Sequence, residues 1–454
     1  MRHLIFWPLI ALLLVGCIAP PPQNQLSTSV QDSPLPTAVA TQTLPEAIVP
    51  PSMEPVALPV LRDVDPAVDA DALAQLTAGN QAFAFDLYHA LDKGDENLVF
   101  SPYSITTAFS MVYAGARNET AKQMATTLHY TQPIATHHAA FNALDQRLNA
   151  QNGDDGFQLE TTNGMWLQRN FPFLPSYLET VAANYALSLW LADFIDPQHR
   201  DEATLFINDW TAQQTAGRIR KILQPDTLDE LTRLLLVNVI YFKADWMYPF
   251  NPNLTHALPF TLMDGSAIET PMMSQRLALA YMRGNGYQAV ALPYQGKQVR
   301  MIILLPDSDQ FAAIEAQLSP NLQQEIGIRL AIQNDVSLRL PTIQFDSKID
   351  LAKLLPMMGM VDLFIPQQAD LMAMAAGEEE KLYVKTATHQ AFIAIDEQGT
   401  EAAAATAVGV AIISEPPITV IFDHPFLYWI EDVNTGEILF LGRVTDPSQD
   451  GGNQ

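Results

Sequence analysis

Apolar positions recur along the chain with two different periods, and the change of period separates helices from strands. Phe83, Leu87, Tyr88 and Leu91 share one helical face behind Asn80, a residue suited to capping, and Gly94 closes the run. Ile105, Ala108, Phe109, Val112 and Tyr113 form a second helical stripe that ends at Gly115. Residues 234–242 are apolar throughout apart from Asn238, and their length and β-branched content predict a buried central strand. Residues 299–305 predict another strand, ended by Pro306. Residues 426–430 and 438–444 flank Asn434-Thr435-Gly436 and predict a hairpin. Helices dominate the first half and strands the second, an α+β pattern built on large mixed sheets.

The two ends lack this patterning. Arg2 and His3 precede an apolar run from Leu4 to Val15, too short to span a bilayer comfortably and proportioned like a signal peptide. It closes on Leu14-Val15-Gly16-Cys17, which resembles the bacterial lipobox, in which the cysteine is lipidated and becomes the new N-terminus. Residues 1–17 are therefore expected to be a lipoprotein signal and Cys17 a lipid anchor, with enough acyl chain for stable attachment. Residues 18–72 are rich in Pro, Ser, Thr, Gln and Ala and show neither period, so they are expected to form a disordered tether. The folded domain is expected over 73–447, followed by a frayed tail at 448–454. A secreted chain, anchored at a bacterial envelope or outer surface, follows.

Composition narrows the function classes. With 24 Lys and Arg against 50 Asp and Glu, the 454-residue chain carries a net charge of −26, which argues against nucleic acid as a partner. Cys17 is the single cysteine, so an intrachain disulfide, a cysteine zinc site and a CxxC redox pair are excluded. The sequence contains no GxSxG, HExxH, Walker or GxGxxG motif, and its nine histidines are scattered. No catalytic residue, metal or cofactor is expected. A lone histidine such as His389 reads as a satisfied core residue.

The unusual segment is 397–417. It opens with Glu397-Gln398-Gly399-Thr400-Glu401, runs through Ala402-Ala403-Ala404-Ala405-Thr406, turns β-branched and ends at Pro416-Pro417. An Ala-rich surface helix is one reading. Period two gives another: Thr400, Ala402, Ala404, Thr406, Val408, Val410 and Ile412 share a face that carries no charge. Such a segment could lie outside as a loop or enter a sheet as a strand. Gly399 is expected to act as a pivot through its freedom of backbone angle, and the two prolines stop strand continuation.

The stretch from Glu397 to Thr406 resembles the hinge of the serpins, with Gln398 a mild variation. Other stretches resemble that family too: Asn80 to Met124 with Phe100-Ser101-Pro102-Tyr103-Ser104-Ile105, Thr232 to Asp264 with Pro249-Phe250 and Pro259-Phe260, Asp423-His424-Pro425-Phe426, and Ile438 to Val444. The likeness spans 73–447. It implies a serpin fold of about three β-sheets and eight to nine helices with an exposed reactive loop.

The resemblance also implies a mechanism without catalysis by this chain. A target serine protease cleaves the loop and forms an acyl-enzyme. The loop then inserts into the central sheet and distorts the protease before deacylation. Counting from the hinge as the family does, the scissile bond is Ile413–Ser414, with Ile412 as the neighbouring alternative. An aliphatic Ile413 excludes a trypsin-like preference and suggests an elastase-like or subtilisin-like target. Ser101, Ser104, Asn238 and His389 match the family's shutter, where the sheet parts, and Trp246 matches the breach, where insertion begins. Alternatives are a non-inhibitory serpin acting as a binding or carrier module, or a cross-class inhibitor of cysteine proteases. A monomer without a basic activator-binding helix is expected.

Overall fold

Residues 49–56, 60–91, 94–151, 157–376, 382–400 and 416–449 are described by a computed structural model. In chain order the elements are β1 (Glu54–Pro55), α1 (Ala70–Ala90), β2 (Leu98–Phe100), α2 (Pro102–Gly115), α3 (Asn118–Thr127), α4 (Ile134–Asn149), β3 (Phe157–Gln168), α5 (Pro175–Asn184), β4 (Leu187–Ala192), α6 (Pro197–Gln214) and β5 (Leu234–Asp245). Then follow β6 (His256–Thr261), β7 (Ala267–Arg283), β8 (Tyr287–Pro293), β9 (Val299–Pro306), α7 (Phe311–Glu315), α8 (Pro320–Arg329), β10 (Ala331–Pro341), β11 (Ile343–Asp350), α9 (Leu351–Met357), β12 (Thr388–Ile395), β13 (Gly399–Thr400), β14 (Ile418–Ile421), β15 (Phe426–Asp432) and β16 (Ile438–Val444). Nine α-helices thus occur among the described residues, as expected for this α+β fold.

The apolar run around Asn238 forms β5, at the middle of a seven-stranded sheet ordered β1-β4-β3-β5-β13-β12-β11. One edge of β5 is fully used: it pairs antiparallel with β3 from Leu234 to Ala244. The other edge meets only β13, through Gly399 opposite Asp245 and Thr400 opposite Ala244. Beyond β13 lies β12, which is bonded along its whole length to β11 on its far side. From Lys243 down to Leu234 the free edge of β5 has no strand partner among the described residues. Unpaired backbone edges inside a sheet are uncommon because they invite another strand.

The remaining strands run in the order β14-β10-β7-β8-β9-β15-β16-β2, with β6 also on β7. Strand β7 is long enough to serve two groups. It pairs with β6 and β10 first, then passes Ala280 to Arg283 to β8. The second and third sheets of the expected fold are therefore continuous through one strand.

The main core lies between the two sheet systems and helices α1, α2, α4 and α5, around Phe83, Tyr88, Phe100, Tyr103, Trp429 and Leu441. A smaller cluster sits beneath α6, on the side of the first sheet away from α2. There Trp166 meets Trp210 edge-on, with centroids 5.1 Å apart. Gly164 makes room for that contact: a Cβ there would stand 2.3 Å from the Trp166 ring.

Two expectations about the first helix need correction. It begins well before Asn80, capped by Asp69, whose carboxylate accepts from the Ala72 amide at 2.7 Å. Leu73 and Leu76 already lie on the core face that Phe83 and Leu87 continue, so the stripe runs back past Asn80. Asn80 lies inside the helix, buried, and donates to both Glu437 oxygens at 3.1 and 3.2 Å. Burial pushes the Glu437 carboxyl well above the usual carboxylate range.

The stretch assigned to the tether is also ordered from Val49 onward in part. Met53 is buried in the cluster beneath α6, and Ser52 donates to Glu202 of α6 at 2.6 Å. Glu54 and Pro55 pair with the outer strand β4, and Arg62 reaches Asp145 at 2.6 Å. Proline is tolerated on such an edge strand, so Pro content alone does not exclude pairing.

Candidate functional site

The site is the line along which β5 and β12 part. At its upper end β12 runs out at Ile395 and the chain reverses. The Asp396 carboxylate accepts from the Gln398 amide at 2.8 Å and the Gly399 amide at 3.2 Å, forming the turn. Burial, reinforced by Glu397, raises the Asp396 carboxyl above its usual range. The turn is clamped to the end of β5. Trp246 donates its amide to Gln398 O at 2.6 Å, and Phe250 donates its amide to Glu397 O at 2.7 Å. The Trp246 indole donates to Asp396 O at 3.0 Å, and the Thr255 hydroxyl donates to the Glu397 carboxylate at 2.6 Å.

Gly399 and Thr400 then enter the sheet. The glycine is required by close approach rather than by backbone angle. A Cβ there would lie 2.0 Å from the Ala244 carbonyl oxygen, while Gly399 is not among the positive-φ glycines. Thr400 is buried, and its hydroxyl lies 2.7 Å from the Tyr294 hydroxyl. The Tyr294 ring stacks on Trp246, with centroids 4.5 Å apart and planes within 11°. Trp246 therefore stands where the parting begins.

Halfway down, Ser101, Ser104, Asn238 and His389, the four residues matched to the shutter by resemblance, meet at the first turn of α2. Ser101 caps the helix, its side chain accepting from the Ser104 amide at 3.1 Å. The Ser101 amide donates to His389 Nε2 of β12 at 3.0 Å, which assigns the ring proton to Nδ1. The Ser104 hydroxyl donates to Asn238 Oδ1 of β5. Asn238 Nδ2 in turn donates to Asn163 Oδ1 of β3 at 2.7 Å, and Asn163 Nδ2 donates to Ala186 O at 3.0 Å. One helix turn thus holds both strands flanking the gap, through polar bonds in an apolar setting. Asn163 escaped the sequence reading because Asn before Gly suits a turn, and only the β3–β5 register sets it opposite Asn238. Tyr294 escaped because it lies in a turn just beyond β8.

Burial lowers the His389 imidazole to about 3. In the unfolded chain a histidine titrates near 6.5. The group is therefore neutral in the fold, and its contribution is intact above pH 6.5 and lost as pH falls from there toward 3. By pH 5 the loss from His389 is about 2 kcal/mol. His138, lowered to about 4, and His137, lowered well below its usual value, act in the same direction because both are desolvated. His424 is raised by its bond to Asp423 and acts in the opposite sense. The native thermal midpoint should fall between pH 6.5 and 4, and His389→Gln should flatten that slope. An unchanged slope would show that His389 is not one of the titrating groups.

Below the shutter the gap widens into a cavity of about 670 Å³. It is walled by Leu234 and Leu236 of β5, by Ile105 and Phe109 of α2, and by Leu382 and Val384 in the approach to β12. Glu401, Ala402, Ala403, Ala404, Ala405, Thr406, Ile413, Ser414 and Cys17 all lie outside the described residues. The chain resumes at Pro416 and joins β10 as the parallel strand β14. No group of three or more His, Cys, Asp or Glu suited to a metal occurs among the described residues.

The family model described as "Serpin (serine protease inhibitor)" matches residues 78–447. The chain belongs to the serpin family. Leukocyte elastase inhibitor of Sus scrofa is 33% identical over 392 residues, covering 83% of this chain and 100% of that protein. An uncharacterized serpin-like protein of Thermococcus kodakarensis is 36% identical over 371 residues, covering 81% of this chain and 84% of its own. Among solved structures, the thermophilic serpin tengpin in its native state superposes with a TM-score of 0.75 at 25% identity, covering 85% of this chain and 97% of tengpin. Thyroxine-binding globulin in complex with thyroxine gives 0.73 at 27% identity, covering 82% and 100%. Serpins are inhibitors or binding proteins rather than enzymes, and this serpin has inhibitory relatives.

Proposed function

We propose that this serpin is a trapping inhibitor, whose loop is cleaved by a serine protease and then inserts between β5 and β12. The register of β13 is the observation that carries the reading. Thr400 pairs with Ala244 of β5 on one side and Ile395 of β12 on the other. Carrying both antiparallel ladders forward brings Ala402 between Phe242 and Ile393, and Ala404 between Ile240 and Ala391. Thr406 then falls between Asn238 and His389, a hydroxyl at the level of the shutter. The positions that would face the core with Thr400 are small and uncharged, so insertion buries no charge there. Glu401 would face the opposite side, beside Lys243. Further along, Val408 and Val410 reach the level of Leu236 and Leu234, where the cavity offers room.

New strand hydrogen bonds and newly buried side chains favour the inserted state once the loop is cut. Cleavage at Ile413–Ser414 would engage a protease with an apolar pocket, elastase-like or subtilisin-like, and the leukocyte elastase inhibitors among the relatives agree with that preference. Incubation with pancreatic elastase and with subtilisin, followed by a denaturing gel, tests the reading. A band at the summed mass less that of the released fragment, which begins at Ser414, is expected. Cleavage without that band would support the carrier alternative.

The address is a separate proposal, carried by the lipobox around Cys17: a secreted protein anchored by lipid to the bacterial envelope. A Cys17→Ser chain should leave the membrane fraction, and retention there would refute the anchor.

A further inference from the structure

Tyr294 joins the turn after β8 to the top of the gap. The turn is itself bonded to β5: Gln295 donates its amide to Asp245 O at 2.9 Å, and Met247 donates its amide to Pro293 O at 2.9 Å. The ring is held flat against Trp246 and edge-on to Phe242. Its hydroxyl is buried and meets Thr400, the first core-facing residue of the strand that would insert. The neighbouring position admits only glycine, because any side chain at Gly399 would run into the Ala244 carbonyl.

These two contacts discriminate between registers. A strand slipped by one residue turns every side chain to the opposite face. Slipping one way would put Thr400 where only Gly399 fits. Slipping the other way would put Gly399 before Tyr294 and leave a buried phenol hydroxyl without a partner. Either slip would also carry Glu401, Ala403 and Ala405 to the core face and take Thr406 away from Asn238 and His389.

We propose that Tyr294 is a positioning residue for inhibition: with the Gly399 slot, its bond to Thr400 pins the register in which the cleaved loop enters the sheet. The proposal rests on the trapping reading above. Insertion competes with deacylation of the acyl-enzyme, so a loop that starts in the wrong register, or starts late, releases active protease and leaves a cleaved serpin. The pin acts at the first rung, before any other residue of the loop has paired.

The test uses the full chain with pancreatic elastase and compares the stoichiometry of inhibition across variants. Tyr294→Phe keeps the ring stack and removes the hydroxyl, and Thr400→Val removes the other partner. Each should raise the moles of serpin consumed per mole of protease by about twofold or more, and the double variant should be no worse than the worse single. Thr400→Ser, which keeps a hydroxyl, should behave as the parent. Wild-type stoichiometry in Tyr294→Phe, or effects of the two single variants that simply add, would overturn the pin and leave Tyr294 a packing residue. A protease-independent arm separates this from failure of the trapping reading. The loop is nicked, and the heat stability of the cleaved chain is compared between parent and Tyr294→Phe. If the parent forms no covalent complex, the trapping reading fails, and the nicked chains still decide the pin. A parent that gains stability on cleavage beside a Tyr294→Phe chain that gains less supports it. Equal gains, or no gain in the parent, refute it.

Discussion

Thr406→Arg should convert the chain from an inhibitor into a substrate. Under the proposed insertion, the ladders at Thr400, continued, would bring Thr406 to the level of Asn238 on one side and His389 on the other. That level lies over the first turn of α2, where Ser101 and Ser104 are fully buried and already engaged. An arginine there would have to bury its charge beside a neutral imidazole with no carboxylate to meet it, at a cost of several kcal/mol. Because insertion races deacylation, a barrier raised by about 3 kcal/mol slows insertion roughly a hundredfold. The five residues ahead of Thr406 would still pair, so the loss should appear as failed trapping rather than failed cleavage. The measurement is the ratio of covalent complex to cleaved chain on a denaturing gel with elastase. Complex should become undetectable while cleavage continues at the parental rate. Retention of complex would show that Thr406 does not travel into the sheet.

Asn238→Ala should loosen the closed sheet. Asn238 is the junction of the shutter, taking the Ser104 hydroxyl on one side and reaching Asn163 on the other. Truncation leaves both neighbours without their partner, at about 1–3 kcal/mol for the buried groups. The same bonds hold β5 against α2 while the strand's free edge is unpaired, so their loss lowers the barrier to parting as well as native stability. Spontaneous conversion on mild heating, to an inserted monomer or to polymers, should accelerate by about tenfold. Native gel electrophoresis over time at a temperature below the unfolding midpoint reads this directly. A conversion rate equal to the parent's would mean that the Asn238 network does not control opening.

The sequence made the frame of this molecule legible where residue type and spacing act together. The run around Asn238 reads as a central strand because its length and β-branched residues favour a buried strand, and β5 is that strand. Ser101 and Ser104 could be linked to Asn238 and His389 only through family resemblance, since they are scattered over nearly 290 residues. The structure brings all four to one helix turn. Three features stayed hidden for physical reasons. Asn80 is a residue type suited to capping, so it read as a cap rather than a core residue facing Glu437, although Leu73 and Leu76 carry the apolar stripe back before it. Asn163 and Tyr294 gain meaning only from strand register and from the meeting of two sheets. At Gly399 a close carbonyl, and not a positive backbone angle, is what demands glycine, and that approach is invisible until β13 is placed beside β5.

The electrostatics add a condition to any such measurement. The net charge of −26 keeps the chain acidic overall, while three desolvated histidines lower its native stability in acid. Rates of opening compared between variants should therefore be taken above pH 6.5, where all three are neutral whether or not the chain is folded.

The central claim is that the cleaved loop becomes a strand between β5 and β12. Comparing the thermal midpoints of the intact chain and the chain nicked within the loop tests it most directly. About ten new backbone bonds at roughly 1 kcal/mol each, in a domain of this size, should raise the midpoint by at least about 10 °C. A nicked chain that melts at the same temperature as the intact one, or below it, would contradict insertion.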